Sequence, residues 1–156
     1  MKSLGKRLLI VTILATAVAI GSDLWQAATP SVNPPPTAGG WQLSHPAVCG
    51  TPLKAETRLW LGTSAARRVC RAEYAGPSAM RLNLFEMPAG WPRCARAFDA
   101  FQKWLPSGPG KVGFFKGCYF GVVDSPRADR VALERFTLAI ENALPGDGEG
   151  HVFRIY

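Results

Sequence analysis

The feature that most constrains the fold is a repeated order of two short β-type runs followed by an amphipathic helix. The runs cover residues 68–74, 79–87, 111–115 and 118–124. Turn sequences at 75–78 and 116–117 separate the members of each pair, as in β-hairpins. The pattern predicts an α+β fold, with an antiparallel sheet built from two β-β-α units and helices packed on one face.

Each predicted helix has proline signals and one apolar stripe. In the first helix, Pro92 fits the first turn and Pro106 ends the pattern. Its stripe consists of Trp91, Cys94, Phe98, Phe101 and Leu105. In the second helix, Ser125 is the expected cap and Pro126 the first helical residue. Its stripe consists of Leu133, Phe136, Ile140 and Leu144, and Pro145 follows it.

The second hairpin is apolar on both faces. A two-residue turn at 116–117 would pair Phe115 with Cys118. The first face then carries Phe115, Cys118, Phe120 and Val122, and the second carries Phe114, Tyr119 and Val123. If both helices cover the first face, the second needs another cover. The N-terminal arm with Trp41 or Trp60 is the first candidate for this cover, and a second subunit or a ligand is the next, so Phe114, Tyr119 and Val123 form a possible binding surface.

The first 28 residues have the order of an export signal. Three basic residues precede an uncharged apolar run over residues 8–20. Cleavage after Ala27 or Ala28 would place Trp25 or Gln26 at the minus-three position, which favours retention, whereas the short apolar run favours a cleaved signal. The segment is therefore either a cleaved signal peptide or a transmembrane anchor. The protein is expected in the inner membrane facing the periplasm, or periplasmic or secreted after cleavage.

Residues 29–40 are rich in proline, glycine and small polar residues and carry no charge, so they predict an extended tether. The α+β domain is then expected over residues 41–156. From residue 29 onward, the chain has 15 basic and 10 acidic residues, spread without a run. The export signal and the absence of a strand motif with interleaved aromatic and basic residues argue against nucleic-acid binding. The basic residues Arg67, Arg68, Arg71 and Arg81 could gather at one sheet edge, although a solvated face is the simpler reading.

An exported chain with an even number of cysteines favours disulfide bonds. Cys49, Cys70, Cys94 and Cys118 allow three connectivities. Because Cys94 lies on the first helix stripe and Cys118 can face that helix, we expect a Cys94–Cys118 bridge, which leaves Cys49 for Cys70. Their wide spacing does not match a zinc or thioredoxin-type motif. We expect no metal and no cofactor.

The sequence contains no recognisable catalytic motif. His45 and His151 lack a nucleophile or carboxylate at a known spacing. Glu73 and Glu86 could approach each other across the first hairpin, but strand carboxylates are usually surface charge. If the protein were an enzyme, Glu73, Glu86 and Arg81 would be the first candidates.

Several short sequences resemble an uncharacterised family of bacterial exported proteins, a domain of unknown function. They are Gly39-Gly40-Trp41, Glu73-Tyr74, the strand end at residues 84–88, the "FFKGCYFGVV" strand at 114–123 and the closing "ALP" at 143–145. The resemblance covers residues 39–145 and implies an exported location and a fold, without an activity.

These observations favour a non-catalytic module of the cell envelope that binds a protein partner or a small apolar ligand. The alternative is an envelope enzyme with an unrecognised site. The N-terminal segment would supply the contact with the membrane.

Overall fold

The computed structural model describes residues 31–52, 66–88, 95–104 and 110–146. Its elements are β1 Thr37–Ala38, β2 Trp41–Leu43, β3 Val48–Gly50, β4 Arg68–Ala75, β5 Met80–Glu86, α1 Ala95–Lys103, β6 Lys111–Lys116, β7 Tyr119–Asp124 and α2 Arg130–Ala143. The strands form one antiparallel sheet in the order β1-β2-β4-β5-β7-β6, and β3 pairs with β4 beside β2. The fold is therefore α+β, as predicted.

Both predicted hairpins are present. In the first, β4 and β5 pair from Arg68 opposite Glu86 to Tyr74 opposite Met80. The second has Phe115 opposite Phe120, so its turn lies at 117–118 and Cys118 occupies the turn instead of the strand. The predicted pairing of Phe115 with Cys118 differs from this register by two residues. A shift of two leaves every other side chain on its predicted face, because side chains alternate along a strand.

The two helices lie over opposite faces of the sheet, which differs from the expected packing on one face. One buried cluster contains Phe120 and Val122 of β7. Ala97 and Phe101 of α1 belong to it, and so does Trp104, which directly follows α1. The α2 stripe joins the other cluster, which holds the alternate strand residues. That cluster includes Leu133, Phe136, Ile140, Leu144, Tyr74, Leu82, Phe114, Tyr119 and Val123. Strand side chains of opposite parity point to opposite faces, so each helix covers its own face.

This packing removes the predicted binding surface. Phe114, Tyr119 and Val123 are at most 2% exposed, because α2 covers them. Phe136 of α2 is central to that cover and meets Tyr74 at a ring-centroid distance of 5.0 Å. The prediction assumed that both helices shared the other face, and therefore left these residues without cover.

The helix ends and the α1 stripe differ in detail from the prediction. Asp129 caps α2 by accepting a hydrogen bond from Ala132 N at 2.7 Å, so the predicted cap Ser125 lies in the preceding turn. Phe101 is buried as predicted, whereas Phe98 is 39% exposed and contacts Phe115 at the rim. The predicted stripe residues Trp91, Cys94 and Leu105 lie outside the described residues.

The compact unit begins at Val32, so part of the predicted tether packs on the sheet. Ala38 is buried, and Tyr74 OH donates a hydrogen bond to Pro35 O at 2.8 Å. Gly39 and Gly40 have φ values of 58° and 100°, which permit the tight turn between β1 and β2. An extended proline-rich segment keeps its carbonyl groups free to accept hydrogen bonds, which explains how residues 32–40 attach to the sheet.

The Cys49–Cys70 disulfide confirms that predicted pairing. The two residues lie directly opposite each other on β3 and β4, with their Cα atoms 4.1 Å apart. Cys118 is also disulfide-bonded. Cys94, its predicted partner, lies outside the described residues, so that pairing stays a prediction. Residues 1–28 lie outside as well, and neither helix in the described part of the chain is long and apolar enough to span a bilayer.

Candidate binding cleft

A row of charged side chains crosses three strands at one end of the sheet. Glu73 of β4 lies opposite Arg81 of β5, and Arg81 lies opposite Asp124 of β7. Arg81 Nη2 pairs with Asp124 Oδ2 at 2.9 Å. Arg81 therefore lies between two carboxylates and binds one of them. The Glu73 carboxylate makes no ion pair or hydrogen bond with another described residue.

A cleft of about 550 Å³ opens beside this row. One wall is formed by the end of β4, the turn at 76–79 and the start of β5, and the other by residues 125–127 after β7. Among its charged lining residues are Glu73, Arg81 and Arg127. Its volume falls in the range of pockets that bind small molecules.

Close packing on Trp41 fixes the turn that forms the first wall. Trp41 Nε1 donates a hydrogen bond to Ser78 O at 2.7 Å, and the indole lies against Gly76. A Cβ at Gly76 would lie 2.4 Å from Trp41 Cδ1, so this position admits only glycine without a shift of the indole or the turn. Trp41 also belongs to the buried cluster that holds Phe114, Tyr119 and Val123, so the N-terminal arm shares in burying that face together with α2, as predicted. Trp60, the other proposed cover, lies outside the described residues.

Two serine hydroxyl groups in the cleft lining are buried without a hydrogen-bond partner in the described structure, Ser78 Oγ and Ser125 Oγ. Ser125 is fully buried, and its backbone is fixed by donation from its N–H to Gly110 O at 2.8 Å. An unpaired buried hydroxyl costs about 1–3 kcal/mol. Because these two oxygens are themselves buried, they lie beneath the surface of the cleft.

Arg127 is a second cation in the lining of the cleft. It is exposed in the loop that follows β7 and makes no ion pair with another described residue. Within the described part of the chain, neither the Glu73 carboxylate on the β4 side of the cleft nor the Arg127 guanidinium on the β7 side forms an ion pair. The ion pair between Arg81 of β5 and Asp124 of β7 neutralises the charge of both side chains.

A second polar cluster lies at the other end of the sheet, on the α2 face. Glu86 of β5 is opposite Arg68 on one side and Tyr119 on the other. Arg68 Nη2 donates to Asn33 Oδ1 at 2.7 Å, while Arg68 Nη1 and Glu86 Oε2 are buried without a hydrogen-bond partner in the described structure. Asn33 and the backbone of Val32, both in the N-terminal arm, contact this cluster.

The Tyr119 phenol has a perturbed acidity because of this environment. Burial raises its pKa, and the nearby Glu86 carboxylate raises it further. A backbone hydrogen bond with Val32 and the Arg68 guanidinium oppose this increase. The phenol is therefore kept neutral, and its position under α2 makes it a packing residue of the core.

The structure separates the three residues that sequence analysis named as catalytic candidates. Glu73 and Arg81 share one face and one end of the hairpin, whereas Glu86 lies on the other face, five residues along β5 from Arg81. Five residues of strand span about 17 Å. Glu73 and Glu86 therefore do not form a carboxylate pair. His45 is exposed, and His151 lies outside the described residues.

The predicted basic cluster is divided in the same way. Arg68 faces α2, Arg71 and Arg81 face the opposite side, and Arg67 precedes β4. The residue that sequence analysis missed is Arg127. A lone basic residue after Pro126 does not distinguish a binding residue from ordinary surface charge, so the sequence alone did not single it out.

No group of three or more potential metal ligands occurs among residues 31–52, 66–88, 95–104 and 110–146. Comparison of the chain with known protein families, with curated proteins and with solved structures gives no match.

Proposed function

We propose that the protein is a non-catalytic binding module of the cell envelope and that its ligand occupies the cleft between the turn at 76–79 and residues 125–127. The observation that carries this proposal is the cleft itself, whose lining includes the exposed residues Glu73 and Arg127, neither of which forms an ion pair with another described residue. Binding sites combine a concave shape with a few polar groups that orient the ligand.

The arrangement of the charged groups favours binding over catalysis. The alternative, an envelope enzyme using Glu73, Glu86 and Arg81, requires these side chains to act on one substrate. Glu86 belongs to the opposite face, and Arg81 is already paired with Asp124. A binding role requires only that charged groups such as Glu73 and Arg127 be accessible to a ligand in the cleft.

The location is proposed from the N-terminal sequence and the cysteines. Residues 1–28 would carry the chain across the inner membrane, either as a cleaved signal or as an anchor facing the periplasm. The Cys49–Cys70 bridge supports an oxidising compartment, where such bonds persist. The resemblance to exported bacterial proteins fits the same location. The two strand–strand–helix segments are interpreted as two β-β-α units that share one sheet.

The polar cleft also changes the ligand that we expect. Sequence analysis suggested a small apolar ligand that would bind to Phe114, Tyr119 and Val123. These residues are buried under α2 and are not accessible to a ligand. A polar small molecule or a polar segment of an envelope protein fits the charged lining better.

The test combines localisation with ligand binding to the full chain, purified in the form that the cell makes. We expect the protein in the envelope fraction with its cysteines oxidised. In a thermal-shift screen of envelope metabolites, we expect a ligand that raises the Tm, and the double variant Glu73→Gln/Arg127→Gln should abolish the increase. A protein recovered in the cytosol with free thiols would contradict the location. A ligand that stabilises both proteins equally would contradict the site.

A further inference from the structure

We infer that residues 32–36 of the N-terminal arm form a latch that docks on the sheet and releases from it, and that Arg68 exchanges partners as it does so. In the docked state Arg68 binds Asn33 of the latch, and in the released state it pairs with Glu86. The latch is separate from the cleft, so its failure would leave the proposed function untouched.

Proline carbonyl groups attach the latch to the sheet at its C-terminal end. Pro35 O accepts a hydrogen bond from Tyr74 OH at 2.8 Å, and Pro36 O accepts one from Leu43 N at 2.9 Å. Residues 34–36 are all prolines, which have no N–H group to donate. The latch therefore cannot form a continuous ladder with a neighbouring strand, and its hydrogen bonds can break without opening the sheet.

The N-terminal end of the latch binds a tyrosine and an arginine. Val32 forms a backbone hydrogen bond with the Tyr119 phenol that lowers the pKa of this group, so Val32 N–H is the donor. Asn33 Oδ1 accepts a hydrogen bond from Arg68 Nη2 at 2.7 Å. Because Asn33 is exposed, this contact between a neutral amide and a guanidinium is open to competition from a charged group.

Glu86 is the competing partner for Arg68. The two residues lie directly opposite each other on β5 and β4, so their side chains share one face of the sheet. Opposite charges at such positions are close enough to pair, yet no ion pair joins these two side chains in the described structure. Arg68 Nη1 and Glu86 Oε2 are instead buried without a hydrogen-bond partner there. Buried charged groups without a partner are unfavourable, so docking of the latch opposes a pairing that the register allows.

The latch therefore has two states that compete for one guanidinium. Release breaks the contacts of the latch with the sheet but allows Arg68 to form a charge-assisted pair with Glu86, which is stronger than its bond to an amide. The gain offsets part of the loss, as a two-state element requires. Release also adds five residues, about 17 Å of extended chain, to the segment that precedes the domain. Docking thus controls the length of this segment.

Amide hydrogen exchange of the full chain, resolved by NMR, measures the release of the latch. The reporters are Val32 N–H and Leu43 N–H, which form the hydrogen bonds at the two ends of the latch. Ser44 N–H is the internal control, because it donates to Glu73 O on β4 at 2.8 Å. In the unaltered chain both reporters should exchange faster than Ser44, since release of the latch needs less free energy than the opening of β2.

Substitution of the two competing partners should change the release in opposite directions. Asn33→Ala removes the contact with Arg68 and should speed exchange of both reporters about tenfold, as expected for the loss of one charge-assisted hydrogen bond. Glu86→Gln removes the competing charge and should slow their exchange by a similar factor. Asp99→Asn on the exposed side of α1 also removes one negative charge, and as the matched control it should leave both rates unchanged. Exchange at Ser44 should be the same in all of these proteins.

A double-mutant cycle on stability tests the exchange of partners itself. In the unaltered chain the latch is docked and does not allow Glu86 to pair with Arg68, so Glu86→Gln should have little effect on the unfolding equilibrium constant. In the Asn33→Ala background the two side chains form a pair, so the same substitution should raise this constant about tenfold. Equal effects in the two backgrounds would show that Arg68 does not change partner.

Two results would overturn the latch. If Glu86→Gln speeds exchange at Val32 and Leu43, then Glu86 supports the docked state instead of competing with it. If neither Asn33→Ala nor Glu86→Gln changes the two reporters relative to Ser44, residues 32–36 are a fixed part of the fold. Ligand binding at the cleft is measured separately and does not depend on either result.

Discussion

Removal of the Cys49–Cys70 bridge should lower the free energy of unfolding by an amount that follows from the length of its loop. The two cysteines are separated by 21 residues. Closing a loop of that length removes about 11 cal/mol/K from the entropy of the unfolded chain, or about 3 kcal/mol at room temperature. This is a large part of the about 5–15 kcal/mol that stabilises a typical domain.

The perturbation is the double variant Cys49→Ala/Cys70→Ala, measured by guanidinium unfolding under non-reducing conditions. The single variant Cys49→Ala keeps the buried Cys70 side chain, so it separates the loss of the cross-link from the loss of packing. Both variants should lose about 3 kcal/mol, with a small further loss in the double variant for the missing sulfur atom.

The fold itself should survive this change. The two residues lie opposite each other on paired strands, and β3 keeps its ladder with β4 when the bridge is absent. Far-ultraviolet circular dichroism should therefore be unchanged in the variants. A loss below about 1 kcal/mol would refute the loop-entropy argument, because it would mean that the unfolded chain is already restricted around these residues.

Three further predictions concern the second bridge, the cleft wall and the response to alkali. Peptide mapping without reductant should join Cys94 to Cys118, and a Cys94 link to any other cysteine would contradict the predicted pairing. Gly76→Ala should cost about 1–3 kcal/mol in thermal unfolding, since the new Cβ meets the indole beneath the turn, whereas Gly50→Ala on open β3 should be far milder. Burial raises the pKa of Tyr74, so its contribution to stability is complete below the unfolded value of about 10 and is lost as the pH rises above it. Tyr74→Phe should therefore flatten the loss of stability in alkali, and an unchanged slope above pH 10 would contradict this reasoning.

The strand pairs were predictable because they rest on local signals. The alternation of Leu82 and Leu84 with Arg81 and Asn83 predicts one buried and one polar side for β5, and turn residues mark its start. The Cys49–Cys70 pairing was reached only by elimination, from the expected position of the other two cysteines. The bridge forms because β3 pairs with β4, and nothing in the sequence of residues 48–50 predicts that pairing.

The side on which each helix packs was not predictable from its own stripe. A stripe such as Leu133, Phe136 and Ile140 shows that a helix buries one side, but not which face of the sheet receives it. The apolar residues on both faces of β7 contained the missing information, since a strand buried on both sides reads as a continuous apolar run. That pattern was interpreted as an uncovered surface, whereas two helices cover it.

The cleft could not be predicted because it depends on strand order. Glu73 and Arg127 belong to distant parts of the sequence, and they face the same cleft only because β5 alone separates β4 from β7. Sequence patterns predict hairpins between consecutive strands, but β5 and β7 are not consecutive. The pairing of Arg81 with Asp124 instead of Glu73 depends on this order too, since Asp124 reaches Arg81 only when β7 lies beside β5.

Coverage of both faces also limits where this domain can bind a ligand. A ligand on the face under α2 would have to displace Phe136 and Ile140, which are fully buried, and the loss of each such side chain from a core typically costs several kcal/mol. Ligand contact at the ends of the strands carries no such cost, since their turns and loops are held by the sheet but reach solvent. The cleft lies at such an end, where Trp41 holds one wall and the backbone of Ser125 holds the other. A sheet covered by a helix on each face therefore leaves the strand ends, rather than the faces, open to a ligand.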